Sequence, residues 1–332
     1  MTGTPTLVTK LAALAAEAPD AAALHGGSPT AGFTTITWSE YDRDVRAVGK
    51  SLISLGVSPG EAVTIAGRNR PEWIISDLGV MAAGAVPTPI YATNTAEQVA
   101  WLVNHSEATV AIIDDQDQYE KLIEVRDQVP NLKKVVLMGD APAATKDWVI
   151  SWQQFLELGR TVSEDDLNYR INSAQPDDLA LLCYTSGTTG EPKGVELTHA
   201  NFNAVSDEIR ELYGFRRLEE RIVSYLPLCH VAEHLFTILN QIESGVEVYT
   251  CADLNEMKDY LPSVRPTLFL AVPRVWEKFE AALQARLAEA TGVKSVLASW
   301  ALATESSWFN AQLEAGRPIT GVTRVLANKL SD

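Results

Sequence analysis

Between Ala62 and Met138 the chain repeats one unit: a short apolar run, a stretch with apolar residues at helical spacing, then another apolar run. That rhythm constrains the fold more than any other feature. Strands joined by helices of this length run parallel, and a parallel sheet carries helices on its faces. The predicted strands are 62–66, 86–91, 109–113 and 134–138. Pro71 opens the first intervening helix, which carries Trp73, Ile74, Leu78 and Met81. Asn94 or Thr95 caps the second, and a third runs over about 117–129. Pro87 and Pro89 lack backbone donors, so their strand reads as an edge or a bulge.

The flanks extend this pattern. Leu7, Leu11 and Leu14 share one face of an entry helix, strand-like pieces follow at 22–25 and 33–38, and Ser39 caps a helix that stops at Gly56. Residues 139–177 are mixed and polar, with one helical patch at 152–158, and are predicted to cross between two subdomains. Helices are expected at 200–212 and 231–243, strands at 222–226, 246–249 and 268–272, and a helical region over 275–315. The expected fold class is α/β, with layered, mostly parallel sheets flanked by helices and α/β subdomains over 1–176 and 177–332.

Composition narrows the function classes. With 332 residues, 46% of them hydrophobic and 21% charged, the chain has the make-up of a soluble globular protein with a sizeable core. The balance of 27 Lys+Arg against 43 Asp+Glu, a net −16, argues against general nucleic-acid binding but leaves room for a local phosphate site. The N-terminus has no basic region, and Glu17 and Asp20 interrupt its apolar residues, so it does not read as a signal peptide. The most apolar stretch, 79–92, is too short to span a bilayer. Cys183, Cys229 and Cys251 are odd in number and lack metal-ligand spacing, so reduced thiols in a cytoplasmic protein are expected.

The chemistry concentrates in Tyr184-Thr185-Ser186-Gly187-Thr188-Thr189-Gly190-Glu191-Pro192-Lys193-Gly194-Val195. Its glycines free the backbone to turn tightly and present successive N–H groups to an anion. Thr185, Ser186, Thr188 and Thr189 add hydroxyl donors, and Lys193 adds a mobile charge suited to phosphate oxygens. Lys193 is followed by Gly194, so this is not the common Gly-Lys-Ser/Thr phosphate loop. From composition alone it could equally be a Ser/Thr/Gly-rich surface hairpin with a stray lysine.

The full twelve-residue word resembles the phosphate loop of the adenylate-forming superfamily: acyl-CoA synthetases, luciferases and peptide-synthetase adenylation domains. Further words favour the long-chain fatty acyl-CoA synthetase branch: Ser224-Tyr225-Leu226-Pro227-Leu228-Cys229-His230-Val231-Ala232-Glu233-His234, the Pro266–Lys278 segment with Val272-Pro273-Arg274, Gly67–Trp73, and Pro87–Tyr91. The resemblance implies a ligase of fatty acid and lipid metabolism. A carboxylate attacks the α-phosphorus of ATP to give acyl-adenylate and diphosphate, and the thiol of coenzyme A then displaces AMP.

By the same resemblance, Thr185, Ser186, Gly187, Thr188, Thr189, Gly190 and Lys193 hold the nucleotide, Thr185 contacts Mg²⁺, and Lys193, Thr185 and His230 serve the chemistry. His230 would sit near the fatty acid carboxylate or gate its pocket; read without the family, it is a packed histidine satisfied by backbone. Cys229 beside His230 suggests a nucleophilic pair, although chain neighbours usually point apart. Glu233 reads as a carboxylate base or, more commonly for a lone glutamate, a surface residue. Arg274 and Lys278 could equally form a solvated helix start, and Trp276 and Phe279 are expected in the core rather than as a ligand platform. Implied partners are fatty acid, ATP and coenzyme A, with peripheral membrane contact, a homodimer or a complementing C-terminal half left open. The family's Tyr-Gly-x-Thr-Glu segment, ribose aspartate and lid lysine do not occur here: Tyr213-Gly214 is followed by Phe215-Arg216, and Gly139-Asp140 lies upstream of the loop. The expectation is an N-terminal portion with little activity alone, or else an ATP- or acyl-binding module, half of a split enzyme, or an adenylate-former for another acid.

Overall fold

The computed structural model describes residues 5–139, 148–185, 191–213, 216–288, 300 and 303–304. The chain divides into two units, Met1–Phe269 and Leu270–Asp332. In the first, α1 (Leu7–Glu17) starts from a capping box between Thr6 and Thr9, and Leu7, Leu11 and Leu14 are buried as their spacing predicts. β1 (Ala22–Ser28) and β2 (Gly32–Thr37) pair antiparallel. α2 (Trp38–Ser54) follows at once, capped by Thr37 rather than by the expected Ser39. Glu40 decides this, because its carboxylate returns to the Thr37 N–H at 2.9 Å and completes the box.

The repeated unit then builds one sheet. β3 (Ala62–Ala66), α3 (Pro71–Ala82), β4 (Val86–Ile90), α4 (Ala96–His105), β5 (Val110–Ile113), α5 (Gln116–Glu124) and β6 (Lys134–Leu137) alternate as predicted. Thr95 caps α4, and the helix expected to reach residue 129 ends at Glu124, followed by a 3-10 turn at Arg126–Gln128. With β7 (Val149–Ser151), the order is β4-β3-β5-β6-β7 and every pair is parallel. β4 is the edge. The Val86 N–H donates to the Glu61 carbonyl at 2.9 Å, so the donors missing from Pro87 and Pro89, of opposite parity, fall on the unpaired side.

The stretch expected as a polar crossing is more ordered than predicted. β7 joins the sheet, α6 (Trp152–Leu158) follows, and α7 (Glu164–Ser173) buries Leu167 and Ile171. Three acidic residues in the first turn of α7 hide that i,i+4 pair within a charged sequence.

β8 (Leu179–Thr185) and β9 (Lys193–Thr198) form a two-stranded antiparallel sheet, followed by α8 (His199–Tyr213). β10 (Arg221–Ser224) leads to α9 (Val231–His234), a π-helical turn at Leu235–Leu239 and α10 (Asn240–Ser244), where one regular helix was expected. β11 (Glu247–Thr250) completes a third sheet in the order β10-β11-β1-β2, which joins strands from both sides of residue 176. α11 (Met257–Val264) covers it through Tyr260, whose hydroxyl donates to the Gly27 carbonyl at 2.7 Å. The strand expected at 268–272 is absent. The Thr267 and Leu268 N–H groups both reach the Arg221 carbonyl, at 2.9 and 3.4 Å, so no ladder advances from there.

Close packing sets these elements. A Cβ on Gly79 would lie 2.3 Å from Val48 Cγ1, so glycine lets α2 and α3 meet. One apolar cluster runs from Ala62, Ile113 and Val135 of the five-stranded sheet through Val99, Val103 and Leu122 of its helices to Tyr184 of β8. In the second unit, α12 (Pro273–Ala288) begins as the predicted helix, with Arg274 and Lys278 exposed. Trp276, expected in the core, is 52% exposed, and its indole N–H donates to the Ala271 carbonyl at 3.1 Å.

Candidate functional site

The β8–β9 hairpin carries the chemically dense stretch. β8 enters it through Cys183, Tyr184 and Thr185, and β9 leaves it from Lys193. The register pairs Thr185 with Lys193, Tyr184 with Gly194 and Cys183 with Val195. Thr185 and Lys193 therefore sit opposite each other at the open end, with Cα atoms roughly 4.5–5.5 Å apart. Both are exposed. Ser186, Gly187, Thr188, Thr189 and Gly190 lie outside the described residues.

Burial anchors the strand just behind that end. The Tyr184 ring is 6% exposed, its hydroxyl lies 2.8 Å from His105 Nδ1, and His105 stacks on Trp101 at 4.6 Å. A Cβ on Gly194 would come within 3.1 Å of Leu182 and 3.5 Å of the Tyr184 ring, so glycine is what fits across from that tyrosine. Burial pushes the Tyr184 phenol above its ordinary value, which keeps it neutral. Trp101 and His105 are members of this anchor that the sequence reading missed. His105 lies 79 residues from Tyr184, and no spacing rule links them.

The segment before α9 packs against the same strand. The Cys183 thiol donates to the Cys229 carbonyl at 3.3 Å, and the Val231 N–H approaches the Cys183 sulfur. His230 follows Cys229, is exposed, and accepts the Ala232 N–H through Nδ1 at 3.1 Å. One ring nitrogen is thus satisfied by backbone, while the ring as a whole faces solvent rather than a packed interior. Cys229 is 6% exposed and burial raises its thiol far above the ordinary range, so the adjacent pair supplies no thiolate nucleophile.

Glu233 corrects an expectation: it is buried, 1% exposed, not at the surface. Desolvation raises its carboxyl to about 7, against the opposing pull of donors on Ser224, Thr237 and the Tyr225 backbone. Beside it the His234 ring and the Asp77 carboxylate are fully buried, 3.1 Å apart. Asn69, within the quoted Gly67–Trp73 word, reaches the same neighbourhood, its amide donating to Ser224 Oγ at 2.9 Å and to the Leu226 carbonyl at 2.8 Å. Among the described residues no three His, Cys, Asp or Glu side chains are grouped to hold a metal ion. No helix among them is long and apolar enough to cross a membrane.

The structure thus sets the exposed Thr185 and Lys193 opposite each other at the mouth of an anchored hairpin in an α/β protein with a parallel five-stranded sheet. The chain belongs to the AMP-binding enzyme family, whose model matches residues 11–320. It is 34% identical over 272 residues to the long-chain-fatty-acid–CoA ligase ACSBG2 of Xenopus laevis, covering 80% of this chain and 37% of that protein. It is 34% identical over 274 residues to human ACSBG1, covering 80% and 38%. The chain thus spans about two fifths of the length of the curated relatives it matches. Among solved structures, the long-chain-fatty-acid–CoA ligase FadD1 of Archaeoglobus fulgidus superposes with a TM-score of 0.72 at 22% identity, covering 85% of this chain and 54% of that one. The N-terminal domain of FACL13 from Mycobacterium tuberculosis superposes at 0.65 with 22% identity, covering 82% and 64%. These likenesses show the fold.

Proposed function

We propose that this chain is the phosphate-binding portion of a long-chain fatty acid–CoA ligase, which joins fatty acid to coenzyme A through an acyl-adenylate at the expense of ATP. The observation that carries the reading is the register of Thr185 against Lys193 at the mouth of an anchored hairpin. Attack of a carboxylate on the α-phosphorus builds negative charge that fixed donors must meet. In this reading Lys193 neutralises the triphosphate and the departing diphosphate, with Ser186, Gly187, Thr188, Thr189 and Gly190 as its neighbours in the loop. Thr185 donates its hydroxyl to a phosphate oxygen or offers the oxygen to Mg²⁺. If bound, Mg²⁺ would supply charge neutralisation, and Thr185 is the residue that would contact it, with the nucleotide's phosphates expected to give the other ligands. His230 stands at the fatty acid carboxylate or gates the acyl pocket.

Fatty-acid-dependent ATP–diphosphate exchange tests the reading, on this chain and on a polypeptide that carries the rest of the relatives' length. Exchange in the longer form and none in this chain is the expected outcome. Silence in both, with no ATP bound by either, would defeat it. A second reading is a module that binds ATP or acyl chains without turnover or pairs with a complementing polypeptide, since exposed Thr185 and Lys193 would hold phosphate oxygens whether or not transfer follows. Nucleotide binding with no exchange in either form would favour it.

A further inference from the structure

Glu233 has a specific task in its surroundings. β10 ends at Ser224, the chain runs through Tyr225–His230, and α9 opens at Val231. The Ser224 hydroxyl donates to Glu233 Oε1 at 2.8 Å and the Thr237 hydroxyl donates to the same oxygen at 2.9 Å. The Tyr225 N–H is a third donor to the carboxyl. Ser224 Oγ in turn accepts the Asn69 amide, which also holds the Leu226 carbonyl. One buried carboxyl therefore ties the start of the 225–230 loop to the helix that closes it. Asn69, just after β3, ties the loop to the five-stranded sheet.

The far end of the loop meets β8, where the Cys183 thiol donates to the Cys229 carbonyl. With both ends held, the loop fixes the backbone of His230, while its exposed ring adds a cap on α9 by accepting the Ala232 N–H. The helix turns π-helical at Leu235–Leu239, around Thr237, and single π turns inside helices often mark functional sites. A plain helix would need no carboxyl here, since leaving one in an apolar interior is costly unless donors meet it.

We propose that Glu233 is a positioning residue, whose buried carboxyl holds the Tyr225–His230 loop in the shape that carries His230 beside the end of β8. Its relevance to catalysis rests on the reading of this loop as part of an acyl site, but the clamp itself can be measured without ligand. Burial already brings the group to about 7, so a neutral amide that keeps an acceptor oxygen should substitute for it.

The experiment is hydrogen exchange by mass spectrometry on the 332-residue chain, comparing wild type, Glu233→Gln, Glu233→Ala and Thr237→Val, with a titration of the fluorescent fatty acid cis-parinaric acid. Glu233→Ala is expected to speed exchange across 225–231 by about tenfold and leave the β3 and β5 peptides unchanged, while Glu233→Gln stays within about twofold of wild type. Parinaric acid affinity should fall about tenfold in Glu233→Ala and return in Glu233→Gln. If Glu233→Ala unfolds throughout, Thr237→Val keeps the volume and should still raise exchange at 225–237 by about threefold. Unchanged exchange at 225–231 in Glu233→Ala overturns the proposal, as does unchanged exchange in Thr237→Val where the alanine variant unfolds. A loosened loop in a chain whose wild type binds no fatty acid upholds the clamp and defeats the acyl-site reading. Fatty acid bound equally by all variants, with the loop unchanged, does the reverse.

Discussion

The five-stranded sheet and the β8–β9 hairpin are built on opposite terms. The sheet buries every residue of β3, β4 and β5 and rests on apolar area, so its sequence is hydrophobic on both faces. The hairpin buries most of β8 but leaves residues 193–196 of β9 exposed, and its outer end carries Thr185 and Lys193. In the proposed reading, stability and binding are divided between two regions that meet along β8, where Tyr184 enters the sheet's apolar cluster and Leu182 packs against it. Substitutions in the sheet should unfold the chain, and substitutions at the hairpin mouth should spare the fold and remove binding.

The sharpest way to break that division is Trp73→Ala. Trp73 on α3 is fully buried, and removing an indole from a closed core costs roughly 3–5 kcal/mol. Urea unfolding should show a large drop in midpoint. A drop below about 1 kcal/mol would mean that α3 is not part of the stability core.

Next in size is a pH effect from Glu233, on α9. Its carboxyl stands at about 7 in the folded chain against an ordinary 4.5, so between those values the folded chain keeps a proton that the unfolded chain has released. The resulting stability is fully present below pH 4.5 and is lost as pH rises through about 7, with an amplitude of about 3 kcal/mol. Other carboxylates titrate in both variants, so the difference between wild type and Glu233→Gln isolates this group. A difference that does not vary with pH would show that the carboxyl is not displaced by burial.

Lys193→Ala should leave the unfolding midpoint nearly unchanged, because the side chain is exposed. Loss of one charged donor to phosphate should weaken ATP binding by roughly 10- to 100-fold, measured by calorimetry in Mg²⁺. If binding survives intact, the hairpin mouth is not the phosphate site.

The two regions were also unequally legible in sequence. β3 and the α3 start at Pro71 fell where expected, because apolar period and proline act locally. The Thr37 cap was readable too, since Thr-Trp-Ser-Glu places Glu40 three residues after Thr37, but Ser39 drew the assignment to the wrong hydroxyl. The apolar run at 268–272 looked like a strand, and only the double use of one Arg221 carbonyl shows why none forms. At the site, residue types suggest an anion-binding loop, which the proposed function carries forward, whereas the burial of Glu233 could not be read. Its meaning depends on Ser224, Asn69 and Thr237, which tertiary structure brings to one place.

Tyr184→Phe makes the smallest change and tests the join itself. Its ring belongs to the sheet's apolar cluster, so phenylalanine keeps that packing and removes only the hydroxyl facing His105 Nδ1 at 2.8 Å. Losing one such hydrogen bond should cost about 1 kcal/mol, less if water replaces it at the exposed His105. Two outcomes then separate. If the ring anchors the strand, ATP affinity moves by less than about threefold, because Thr185 and Lys193 keep their register. If the hydroxyl sets the hairpin's height above the sheet, ATP affinity falls as far as in Lys193→Ala while the unfolding midpoint barely moves. The second result would place a positioning hydrogen bond where the first places only packing, and would mean that the two regions do not separate at Tyr184.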